Sequence, residues 1–142
     1  MVKFIYNTSI FDINREKVIT NIFLLTKKYI ELPDYLEIEF KKLNPNIYGE
    51  TLLDTRFKNR IRLNEDLTCK EVIIPLIHEL LHLNQVYIGR LVGNRDGSFI
   101  WDKRVYKTSK SPDVREWENL PWEVDVAQKQ QKLLEKVLDQ VD

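Results

Sequence analysis

His78 and His82 are the only two histidines in the 142-residue chain, and Glu79 directly follows the first of them. On a helix, positions four apart lie one above the other on the same face. Two imidazoles so placed can hold one zinc ion, and the glutamate between them can serve as base toward a water on the metal. With this composition the pattern is a coincidence of roughly one in a thousand. The competing reading is a buried amphipathic helix whose histidines align by accident. The expected cofactor is Zn2+.

Catalytic zinc usually takes three protein ligands and keeps a fourth position for water or substrate. The chain has no third histidine, and its single cysteine, Cys69, cannot form a thiolate pair. A carboxylate must therefore complete the set, and Glu123 is the candidate. It precedes Val126 by three residues and Ala127 by four, which puts it on one stripe with Leu134, Val137, Leu138 and Val141. A carboxylate on an inward stripe is costly unless it is paired or bound to a metal. Asp125 falls instead with Gln128, Lys129, Lys132 and Lys136, on a face that reads as solvent. As the third residue of its helix, Glu123 could merely complement the helix dipole. Glu116 and Glu118, in the loop before it, stand behind it as candidates.

These side chains need two helices to carry them. For the motif helix, Thr68 and Glu71 have the spacing of a capping box. Pro75 lies inside the apolar pattern, so either the helix bends one turn before His78 or it begins near Pro75. Ile73, Leu76, Ile77, Leu80, Leu83 and Tyr87 make its core face, while His78, His82 and Gln85 share the neighbouring one. Asn84 and Gln85 could hydrogen-bond around the site, but exposed helix residues are the simpler reading. Gly89 is the expected stop. The last helix is expected from Pro121, a favoured first position, to about Leu138.

Ahead of the motif, Val2 to Tyr6 reads as a strand. Asp12 or Asn14 can cap a helix carrying Val18, Ile22, Leu25 and Tyr29, which Leu32-Pro33 ends. Tyr35 to Phe40 alternates, with Leu36, Ile38 and Phe40 on one face and Glu37 and Glu39 on the other. A turn is expected at Asn44-Pro45-Asn46. Asn59 to Asn64 alternates as well, with Ile61 and Leu63 inward. Arg60 and Arg62 on its outer face suit a sheet edge, where charges prevent unwanted pairing. The functional alternative is that this edge lies over the metal and pairs with an extended peptide. Beyond the turn cluster Gly93 to Gly97, Phe99-Ile100-Trp101 and Arg104-Val105-Tyr106 read as two short strands around Asp102-Lys103, and 107–112 as a polar loop.

His78-Glu79-Leu80-Leu81-His82 followed by Leu120-Pro121-Trp122-Glu123-Val124-Asp125 resembles the gluzincin zinc peptidases. More closely, the chain from Asn59 onward is similar to small metallopeptidase-like proteins encoded by tailed bacteriophages and prophages, with Gln85, Phe99-Ile100-Trp101 and Tyr106 adding to the likeness. The resemblance implies that His78, His82 and Glu123 bind zinc and that Glu79 is the catalytic base. It departs at Ala127, where many gluzincins carry an aspartate that supports a ligand histidine. Asp125 or another group must take that part, or the site is less preorganised. Such a peptidase also needs a donor for the tetrahedral oxyanion. Tyr106, on the hairpin between the two ligand-bearing helices, is the first choice, with Tyr87 and Arg90 as alternatives. Packing within the hairpin explains Tyr106 and Trp101 equally well.

The fold expected is α+β: a compact, minimal zincin-like domain spanning residues 1–142. It would combine a small twisted sheet with an N-terminal helix, the motif helix and a C-terminal helix delivering Glu123. Lys+Arg and Asp+Glu balance at 22 each, so no net charge favours nucleic acid or an anionic membrane. The first residues lack a signal-peptide layout, and the longest apolar run, Val72 to Ile77, is too short to span a bilayer. The expected location is the cytoplasm, that of a bacterial host if the gene is phage-borne. The expected function is hydrolysis of a peptide or protein substrate. The alternatives are a zinc-binding structural module acting in phage assembly or host interaction, and a metal-free helical binding module in which Glu123 lies far from both histidines.

Overall fold

The computed structural model describes residues 1–7, 11–53, 59–108 and 112–140. The first half runs β1 (Val2–Tyr6), α1 (Ile13–Thr26), β2 (Leu36–Lys41), β3 (Gly49–Thr51), β4 (Arg60–Asn64) and α2 (Ile73–Tyr87). The second half adds β5 (Leu91–Gly93), β6 (Phe99–Trp101), β7 (Arg104–Tyr106), the short α3 (Val114–Glu118) and α4 (Pro121–Leu138). The fold is α+β, with one four-stranded sheet in the order β1-β2-β4-β3 and a second, antiparallel sheet β5-β6-β7. None of the described helices is long and apolar enough to cross a membrane.

Strands β1, β2 and β4 are parallel, and β3 joins β4 antiparallel. One face of this sheet is apolar because Ile38, Phe40, Ile61 and Leu63 alternate inward. Ile22 and Phe23 of α1, Leu76 and Leu80 of α2, and Val126 and Val137 of α4 pack onto it to make the main core. Each such side chain, fully buried, stabilises the fold by about 1.5–3 kcal/mol.

The other face carries charge. Glu37 stands opposite Arg60, and Glu39 and Glu50 flank Arg62. Arg60 Nη2 lies 3.0 Å from Glu37 Oε1, and Arg62 Nε lies 2.8 Å from Glu39 Oε1. The expected edge role of Arg60 and Arg62 is therefore corrected: β4 lies between β2 and β3, and its arginines form a cross-strand ladder. The edge on that side is β3, a strand too short to show alternation.

Local signals explain most boundaries. Asp12 caps α1, its Oδ1 accepting from the amides of Asn14 and Arg15 at 3.0 and 3.2 Å. The helix ends at Thr26, so Tyr29 lies beyond it; its buried residues are Arg15, Ile19, Ile22, Phe23 and Thr26, with Val18 and Leu25 flanking. Thr68 and Glu71 do form the reciprocal capping bonds, at 3.0 and 3.2 Å, but they cap a turn. The helix proper starts at Ile73, which leaves Pro75 in the first turn, where an amide has no intrahelical acceptor. No kink at Pro75 is needed. At the other end, Gly89 takes φ +83°, and the amides of Gly89 and Arg90 bond to Val86 O and Gln85 O. That pair of bonds is a Schellman stop. Tyr87, expected in the core, sits in the last turn and is largely exposed.

Asp102 and Lys103 both adopt positive φ, 47° and 72°, which makes the tight β6–β7 turn. Three elements were not anticipated: β3, which pairs with β4, β5, which pairs with β6, and α3, which occupies part of the loop before α4. On α4 the inward stripe is Trp122, Glu123, Val126, Leu133, Leu134 and Val137. Ala127 and Leu138, placed on that stripe from the sequence, are exposed. Val141 lies outside the described residues.

Candidate metal centre

Packing of α2 against α4 brings together three side chains that the sequence holds far apart. His78 and His82 lie one turn apart on α2, their rings edge-on with centroids 4.9 Å apart. Glu123, in the first turn of α4, faces both. Its Oε1 is 3.6 Å from His78 Nε2, and its Oε2 is 2.8 Å from His82 Nε2. One potential ligand atom from each residue lies within 4.8 Å of the others, a spacing that could hold a metal ion. His82 and Glu123 are buried, while 33% of the His78 side chain remains exposed, so the trio opens on one side only. The metal-free module reading required Glu123 to lie far from the histidines, and that arrangement is not found.

The donor chemistry suits a cation. His82 Nδ1 lies 2.9 Å from Gln85 Oε1, an acceptor, so the ring proton belongs on Nδ1. The Nε2 lone pair of a neutral His82 then points at a carboxylate, which requires a proton or a metal ion between them. Glu123 Oε2 is also buried, and apart from His82 Nε2 at 2.8 Å no described residue offers it a donor. Without metal, protons answer the same need. Burial by itself would lower the His78 pKa, but the bond to Glu123 and the charge of Glu79 raise it to about 9. Burial would raise that of Glu123, but its bonds to His78 and His82 hold it down at about 2.

Glu79 sits beside the trio in a different environment. The Thr51 hydroxyl of β3 lies 2.9 Å from its Oε1 and 3.1 Å from its backbone oxygen, one donor shared by two acceptors. Burial raises the Glu79 pKa, and the neighbouring histidines only partly offset this. Gly49 is what lets β3 come so close. A Cβ at that position would stand 3.2 Å from Glu79 Cγ and 3.1 Å from Leu63 Cδ2.

Both histidines are braced from behind. His78 Nδ1 meets Gln130 Oε1 at 2.7 Å, and His82 Nδ1 meets Gln85 as described. Gln85 in turn reaches Asp125 Oδ2 at 2.9 Å. Two expectations are thereby corrected. Gln85 is not an exposed helix residue but fully buried, and Asp125 is a half-buried anchor between Gln85, Arg90 and Lys129. Asn84 turns away and bonds Glu31 O. Gln130 was missed, although it lies two helical turns from Glu123 on the same face. Thr51 and Gly49 left no comparable signal.

A cleft of about 930 Å3 opens over the site, walled by β3, the start of α2, α3 and the second sheet. Ile74, Val114 and Trp117 are exposed along it. Tyr106 does not line this cleft; it packs edge-on against Trp122, ring centroids 6.0 Å apart, beside Phe99 and Trp101. Arg90 is engaged by Asp102 and Asp125 and lies 4.3 Å over the Trp101 ring. Glu116 and Glu118 are exposed on α3, outside the trio.

Comparison with protein-family models, curated proteins and solved structures gives no match for this chain.

Proposed function

We propose that this chain is a zinc-dependent peptidase, with His78, His82 and Glu123 as ligands and Glu79 as general base. The observation that carries the reading is the pairing of two unlike carboxylates in one site. Glu123 faces Nε2 of both histidines, as a ligand must, whereas Glu79 lies beside them, bonded to the Thr51 hydroxyl and with its pKa raised by burial. A purely structural metal site has no use for Glu79.

A zinc ion in the trio would supply the Lewis acidity that makes water nucleophilic near neutral pH. Glu79 then takes the proton of the attacking water and returns it to the leaving amine, with Thr51 orienting the carboxylate. Gln85 and Gln130 keep the histidine rings turned toward Glu123. The edge of β3 that no described strand pairs with, next to Glu79 in the cleft wall, offers backbone groups to an extended peptide.

A second reading, a zinc-binding interaction module without catalysis, has one observation in its favour. None of Tyr106, Tyr87 and Arg90, the residues expected to stabilise an oxyanion, is among those lining the cleft.

Two measurements on purified protein test the proposal. Metal analysis is expected to find about one zinc per chain. A broad peptide library is expected to be cleaved, and a chelator to stop the cleavage. Absence of zinc would sink both readings; zinc without cleavage would favour the module.

A further inference from the structure

Each ligand histidine turns its Nε2 toward Glu123, so its Nδ1 must be satisfied from behind. In both cases the partner is a carboxamide oxygen, at 2.9 Å from Gln85 and 2.7 Å from Gln130. Gln85 is only 1% exposed, and its amide nitrogen donates to Trp122 O at 3.0 Å and to Asp125 Oδ2 at 2.9 Å. Both of those atoms can only accept, which fixes the amide orientation: the nitrogen faces α4 and the oxygen faces His82. An oxygen there permits only the His82 tautomer with its proton on Nδ1. Trp122 directly precedes Glu123. One buried side chain therefore orients one ligand and ties down the backbone that carries another.

We infer that Gln85 is the principal positioning residue of the metal centre, setting the tautomer of His82 and locking the Glu123 end of α4 to α2, and that Gln130 positions His78. The inference rests on the zinc reading above. Its chemical content is that both supports are neutral. A carboxylate behind a ligand histidine adds negative charge and raises the basicity of the ring. Here Asp125 is set one amide away from His82 and is itself balanced by Arg90 and Lys129, at 3.4 and 2.9 Å. Glu123 and Glu79 then carry the negative charge beside the two histidines, and Glu50, Asp113 and Glu118 also line the cleft.

The test uses the full chain, with zinc affinity from chelator competition and the visible spectrum of bound Co2+. Gln85→Ala is expected to weaken zinc binding about 10–100-fold and to alter the cobalt spectrum, and Gln130→Ala to do so about tenfold. Gln130→Glu, which keeps an acceptor at that point, is expected to restore binding lost in Gln130→Ala. A Gln85→Ala protein that loses thermal stability but keeps wild-type affinity and spectrum has lost only a structural contact, and overturns the inference. Should Gln85→Ala not fold, the partly exposed Gln130 pair decides: loss in Gln130→Ala with recovery in Gln130→Glu supports the inference, and wild-type affinity in Gln130→Ala overturns it. Failure of the zinc reading is seen separately, as a wild-type protein that binds neither Zn2+ nor Co2+.

Discussion

Replacing Glu79 by glutamine should separate activity from stability, with the two moving in opposite directions. The side chain is 6% exposed and has one hydroxyl donor, Thr51 Oγ1 at 2.9 Å, while burial raises its pKa. Above its pKa in the folded protein, an ionised Glu79 therefore costs stability relative to the unfolded chain. Glutamine has the same shape, keeps an oxygen for Thr51 and carries no charge. Removing a poorly solvated charge is worth on the order of 1 kcal/mol, which for a domain of this size raises Tm by about 3 °C. Removing a general base costs about 10²–10⁴-fold in kcat. Zinc content should not change, because Glu79 is not a ligand. The assay is peptide cleavage, metal analysis and thermal unfolding of the metal-free protein on one preparation. Wild-type cleavage by Glu79→Gln would refute the base assignment. Lost zinc would place Glu79 among the ligands, and a strongly lowered Tm would show that its carboxylate supports the fold.

Three further outcomes follow from the same geometry. Gly49→Ala should cost about 1–3 kcal/mol by overpacking against Leu63 and Glu79, and should slow cleavage with zinc retained; denaturant unfolding and metal analysis check this. The Glu37–Arg60 and Glu39–Arg62 ladder should make the fold acid-sensitive. Burial would raise the Glu39 pKa, but Arg62 and Asn7 lower it, and the Tyr35 hydroxyl and Arg60 lower that of Glu37. Their contribution is thus present above the ordinary value of 4.5 and lost as pH falls through the depressed folded values; Glu39→Gln should flatten that part of a stability–pH curve. Zinc at a hundred times its Kd should stabilise the folded chain by about 2.7 kcal/mol, seen as a Tm that falls when a chelator is added.

Much of the scaffold was legible because its signals are local. Pro121 opens α4, Gly89 stops α2, Asp12 caps α1, and the alternation of Leu36, Ile38 and Phe40 marks β2; each depends on neighbours within a turn or a strand. Where local rules compete, they mislead. The Thr68–Glu71 box is real but caps a turn, because Pro75 suits the first turn of the helix that follows. Tyr106 was assigned to the site from its position in the chain, yet its ring packs on Trp122. Arg60 and Arg62 look like edge charges until β3 closes the far side of β4, and a three-residue strand has too few positions to show a period.

For the site, the sequence alone determines that two imidazoles and a glutamate share a helix, since helical geometry needs no other part of the chain. It also points to Glu123 as an inward carboxylate, since period and polarity conflict there. Only the tertiary structure decides what surrounds them. Thr51 meets Glu79 across 28 residues of chain, Glu123 meets His82 across 41, and Gln130 meets His78 across 52. Those separations are bridged by the burial of α2 between β3 and α4. Burial of that kind is set by the whole apolar core, and no spacing along the chain records it.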